Sequence, residues 1–164
     1  MNTGQMLLTI GAMILLSTLI LRVNNNFAGN TNTVYNSKFA ILAASVGSSV
    51  IEEAMGKAFD ENTVNAPASS TADFTLPNKL GPESGETYPN FNDFDDYNGY
   101  TKIDSTMPSA IFKVECVVTY VNPSTPNIDS NSSTWTKKIS VTITSNSMAD
   151  TVRLSSLFSY WVFN

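Results

Sequence analysis

The chain has 164 residues with 9 basic and 14 acidic side chains, one Cys and no His; this size predicts one domain with an appendage. One thiol excludes an internal disulfide and multi-Cys zinc sites, and the missing imidazole excludes Ser-His-Asp and Cys-His catalysis. A net charge of -5 without a basic stripe argues against a nucleic-acid partner, and 14% charged residues amid abundant Asn, Ser and Thr give the weakly charged, polar surface familiar in exported proteins.

Residues 1–21 carry no charge, and Met6 to Leu21 reads MLLTIGAMILLSTLIL. As a helix, such a segment spans roughly 30 Å, the hydrocarbon thickness of a bilayer. A secretory signal would open on a basic stretch, and residues 1–5 (MNTGQ) have none. The first proline is Pro67, and apolar side chains at Val23, Phe27, Val34, Tyr35, Phe39, Leu42, Val46, Val50, Ala54 and Phe59 follow the helical period. The spacing predicts a long helix over 1–61, with 1–21 a membrane or filament-core segment and 22–61 an amphipathic half. VNNNFAGNTNTV has low helix propensity, so a local break is expected there, with Gly29 its weakest point. Asp60 to Asn65 is the expected stop. A helix of this length cannot be covered by the roughly hundred residues that remain, so its apolar first half is expected to protrude.

Residues 62–108 are punctuated by Pro67, Pro77, Pro82, Pro89 and Pro108 and read as loops. Short extended pieces at 73–76 and 99–103 are expected at a sheet edge. Three alternating runs follow. Phe112, Val114, Cys116, Val118 and Tyr120 share one face of 111–121, and Trp135, Ile139, Val141 and Ile143 share one face of 134–144. Val152, Leu154, Phe158, Tyr160 and Val162 share one face of the C-terminal run. Period two in each run predicts an antiparallel meander with one buried face. The expected fold class is α+β: a long N-terminal helix whose amphipathic half packs on a small antiparallel sheet, with 62–164 as a loop-rich head.

An uncharged apolar segment running into an amphipathic helix, then a loop, then a small antiparallel sheet resembles the organisation of type IV pilins and pseudopilins. The resemblance covers the architecture of the whole chain and is sharpest in residues 1–60. It implies a structural subunit of an extracellular pilus-like filament, inserted in the membrane before assembly, and not an enzyme. A minor pilin or secretion-system pseudopilin, and a single-pass anchored surface binding domain, are the alternatives. The implied partners are identical subunits, a pilus assembly machinery and a prepilin peptidase. Filament-core packing falls to Gly4, Leu7, Leu8, Ile10, Gly11, Ile14, Leu15, Leu19 and Ile20. The family's glutamate at the fifth mature position, which pairs with a neighbour's amine, corresponds to Gln5 when counted from Met1; its amide can hydrogen-bond without forming the ion pair.

Two further sites are read from the residues. NFNDFDDYNGY (90–100) places Asp93, Asp95, Asp96 and Asn98 ahead of Gly99, either as a calcium loop or as a solvated acidic turn. An EF-hand would need an acid where Phe94 stands and a Glu where Ser105 stands. Asn131-Ser132-Ser133 matches the N-glycosylation sequon in an expected loop. Cys116 alternates with core positions and is expected to be buried, while Glu52 and Glu53 are expected to face solvent or pair with Lys57. The aromatics Tyr88, Phe91, Phe94, Tyr97 and Tyr100 could pack their loop down or make contacts between subunits.

Overall fold

A computed structural model describes residues 2–107 and 109–161, with backbone only at 28, 29, 31 and 32. The chain is α+β: one long N-terminal helix and a five-stranded antiparallel sheet. Helix α1 covers Thr3–Met55 without a break. The Asn-rich stretch expected to interrupt it is helical throughout; each Asn or Thr costs only some tenths of a kcal/mol, which the neighbouring turns absorb. The helix ends at Met55, five residues before Asp60, where the expected stop begins. Gly56 donates its N–H to Glu52 and Glu53, and the chain then turns so that the Ala58 N–H reaches the Asn92 carbonyl while the Phe94 N–H reaches that of Ala58. This bridge, rather than the later Asp60, sets the boundary. Asp60 instead caps a 3-10 turn at Glu61–Thr63, accepting from the Asn62 N–H.

The chain divides into two compact units, Met1–Lys38 and Phe39–Asn164. In the second, Ala43, Val46, Val50 and Ala54 recur at helical spacing and are buried in one core with the sheet. Contact is close at Gly47, where an added Cβ would lie 2.7 Å from Ile143 Cδ1 and 2.9 Å from Leu154 Cδ1.

The strands are β1 (Thr101–Asp104), β2 (Phe112–Asn122), β3 (Thr125–Asp129), β4 (Thr136–Thr144) and β5 (Val152–Ser159), in the order β1-β2-β4-β5, with β3 on the far end of β2. The expected face of β2 is buried at all five positions, and so are Ile139, Val141 and Ile143 of β4. They meet in register as Val114–Ile143, Cys116–Val141 and Val118–Ile139. Residues 99–103 do lie at a sheet edge, as β1; 73–76 do not. There Phe74 leaves a capped 3-10 turn at Thr71–Asp73 and enters a second core with Phe59, Ala68 and Tyr120. Strand β3, which contains Pro126, falls in the connection between β2 and β4, where no strand was expected. It pairs with β2 alone, and an edge strand tolerates proline's missing N–H. Trp135 lies just before β4, keeps 41% of its surface exposed and stacks on Tyr160 at 5.8 Å, rather than being buried with the β4 residues. Val162 and Pro108 lie outside the described residues.

Candidate functional site

Two regions of the chain bear on function, each within one unit. The first is the start of α1. Thr3–Phe27 is long and apolar enough to cross a membrane, and no part of it is buried inside the structure. Of the expected packing residues, Leu7, Leu8 and Leu15 are more than 70% exposed, and Ile10, Ile14, Leu19 and Ile20 are exposed as well. A side chain at Gly4 or Gly11 would meet nothing within 4 Å, so both leave room for another helix. Gln5 is exposed on the first turn. The hydroxyls of Thr9, Ser17 and Thr18 donate to the carbonyls of Met6, Met13 and Leu15. Their polarity is satisfied within the helix, as an apolar environment requires.

The second region gathers acidic residues around the turn at 93–97. Asp93 Oδ1 accepts the N–H groups of Asp95 and Asp96, while Asp96 Oδ2 accepts those of Asn92 and Asp93. The two carboxylates thus fold the turn on themselves. Asp95 and Asn98 go elsewhere. The Asn98 side chain donates to the Leu80 carbonyl and accepts the Val118 N–H, tying the loop to β2. Asp95 points at Lys137. The four residues read as one loop therefore do not share one site.

Lys137 sits on the covered face of β4, in phase with Ile139, Val141 and Ile143 and opposite Tyr120 and Phe158. Its side chain is completely buried. Nζ spends its three protons on the Phe59 carbonyl (2.7 Å), Asp60 Oδ2 (2.9 Å) and Asp95 Oδ1, below the ring of Phe59 at 4.7 Å. Asp60 also accepts from Thr75 and from the Tyr120 hydroxyl. Burial works to raise its pKa, but Lys137 and the N–H groups of Thr75 and Asn62 hold it below the ordinary carboxylate value. For Asp95 burial outweighs Lys137 and the pKa rises. One ammonium thus joins the end of α1, the 93–97 turn and the sheet.

Asp93 and Asp96 close onto residues that the sequence did not single out. Carboxylate oxygens of Glu61, Glu83 and Asp93 all lie within 4.8 Å of one another, and so do those of Glu83, Glu86 and Asp96. Glu83 belongs to both groups. Gly85, at φ +92°, allows the tight turn in which the Glu86 N–H reaches the Glu83 carbonyl. Burial, followed by repulsion from Asp95 and Asp96, pushes Asp93 up to about 9; burial and the Glu86 carboxyl push Glu83 up to about 7. No sequence signal reveals this grouping, since the acids lie far apart in loops. Lys137 had one: a Lys in phase with three core residues.

The remaining candidates are simpler. Asn131 is exposed in the loop between β3 and β4, a position open to modification. Cys116 is buried and its thiol pushed up to about 12 by that burial. Glu53 accepts weakly from the Tyr88 hydroxyl at 3.5 Å. Phe91, Phe94 and Tyr97 pack down into the core beneath α1. No protein-family model matches the chain, and neither a curated protein nor a solved structure matches it.

Proposed function

We propose that this chain is the structural subunit of an extracellular type IV pilus-like filament, held in the membrane before assembly and polymerised through the first part of α1. The observation that carries the reading is that residues 3–21 carry no charge and none of Thr3–Phe27 is buried, whereas 43–54 of the same helix use a single apolar stripe to join a core. An uncharged surface of this kind has two stable homes, a bilayer or copies of itself. Burying each Leu or Ile is worth roughly 1.5–3 kcal/mol relative to water, but lipid supplies most of that. Preference for the filament then comes from close packing, which the small residues Gly4 and Gly11 favour, repeated at every subunit. A head-to-tail contact of this type does not close on itself and so propagates as a fibre.

Leu15→Asp tests the proposal. Leu15 is 72% exposed, so the carboxylate leaves the packing of 39–164 untouched, yet in a filament core it places an unpaired charge among apolar side chains. The expected result is wild-type thermal unfolding of the sheet and no fibres by negative-stain microscopy. Ordinary fibres from the variant would refute the reading. Wild-type chains that stay membrane-bound and never polymerise would favour the single-pass anchor.

A further inference from the structure

We propose that a divalent, oxygen-preferring cation of the calcium class binds where Glu61, Glu83 and Asp93 converge, with Glu83 linking it to Glu86 and Asp96. The five carboxylates come from three separate stretches, the 3-10 turn after α1, the loop at 83–86 and the turn at 93–97, and each of the two groups of three is compact.

The buried acids are incompletely partnered in a specific way. Asp93 and Asp96 are completely buried. Each commits one oxygen to backbone N–H groups, Asp93 through Oδ1 and Asp96 through Oδ2. The other oxygens, Asp93 Oδ2 and Asp96 Oδ1, are buried without a hydrogen-bond partner, and so is Glu61 Oε2. Buried polar atoms are almost always satisfied. Three orphaned oxygens on carboxylates of the same two groups therefore mark a missing positive partner. Lys137 does not fill that role, because its three protons are spent on Phe59, Asp60 and Asp95.

The donor set selects the ion. All five candidates are carboxylates, with no nitrogen or sulfur, which suits calcium, magnesium or manganese rather than zinc or copper. Two oxygens on one calcium ion, each about 2.4 Å from the metal, lie at most about 4.8 Å apart, so either group fits within a single coordination shell. Glu83 and Glu86 come from a surface loop, and calcium's irregular coordination accepts such a mixed set of ligands more readily than magnesium's tight octahedron does. Binding would neutralise the mutual repulsion of the acids and tie the three stretches together.

The test uses the full-length chain in detergent micelles, stripped with EGTA, and reads thermal unfolding in 10 mM CaCl2, in 10 mM MgCl2 and in NaCl of matched ionic strength. Calcium is expected to raise Tm by about 10 °C if present at roughly one hundred times its Kd, with smaller rises for the other salts. Glu83→Gln lies on the exposed loop and removes one of the mutually repelling acids, so in EGTA it is expected to melt no lower than wild type while losing the calcium response. Asp93→Asn keeps an oxygen for the backbone caps and is expected to lose the response too. No calcium shift in the wild-type chain, an equal shift in NaCl, or a full shift retained by either variant would overturn the site. An equal shift with magnesium would overturn the calcium-class assignment.

Discussion

Replacing Lys137 by Met removes the only cation facing two buried carboxylates among the described residues while preserving most of the side chain's apolar volume. Asp60 keeps its contacts with Thr75 and Tyr120. Asp95 is left worse off: Oδ1 loses Nζ, and Oδ2 is buried without a partner already. Breaking a buried pair by deleting one member costs about 3–5 kcal/mol, because the other charge is stranded in a medium that cannot solvate it. For a folded unit of this size that corresponds to a fall in Tm of roughly 10–20 °C. The assay is thermal unfolding of the full chain in micelles, followed by near-ultraviolet circular dichroism, which reports the stacked Trp135 and Tyr160. Adding Asp95→Asn to Lys137→Met removes the stranded charge and should recover part of the loss. A Lys137→Met chain melting within about 3 °C of wild type would refute the view that this ammonium holds the head together.

Gly47→Leu forces a side chain into a close approach of α1 to the sheet, against Ile143 and Leu154; a loss of about 1–3 kcal/mol in urea unfolding is expected, and an unchanged midpoint would contradict the close packing. Cys116, buried and with its thiol pushed up to about 12, should resist iodoacetamide at pH 8 until the chain is unfolded; rapid labelling of the folded chain would show that this part of the core opens.

The parts of the fold legible in the sequence are those in which pattern and packing agree. Phe112, Val114, Cys116, Val118 and Tyr120 alternate with Lys113, Glu115 and Thr119, and such a run has only one comfortable face to bury. Ala43, Val46, Val50 and Ala54 announce their stripe through helical spacing. Legibility fails where a tertiary contact overrides a local signal. Strand β3 fell in a connection read as a loop, and its Pro126 disqualifies a central strand but not an edge. Asp60 looked like a helix stop but is a buried ligand of Lys137, and the bridge between Ala58 and the 92–94 segment ends the helix earlier. The acidic run at 93–98 drew notice as a calcium loop, yet neighbours in sequence diverge in space: Asp95 turns to Lys137 and Asn98 to β2. The acids that join Asp93 and Asp96 come from Glu61, Glu83 and Glu86, brought close only when the loops fold over one another. The apolar start of α1 was fully visible, since the absence of charge over residues 1–21 needs no tertiary information.

The most direct measurement is a helical reconstruction, by electron cryomicroscopy, of fibres assembled from the wild-type chain or sheared from the cell surface. The account predicts a core built from residues 3–21 of many copies, with Leu7, Ile14 and Leu15 in contact with neighbouring helices and the strands lying outside it. Fibres held together by the sheet with the apolar segment absent from the core, or wild-type chains that remain solitary under every polymerising condition, would contradict it.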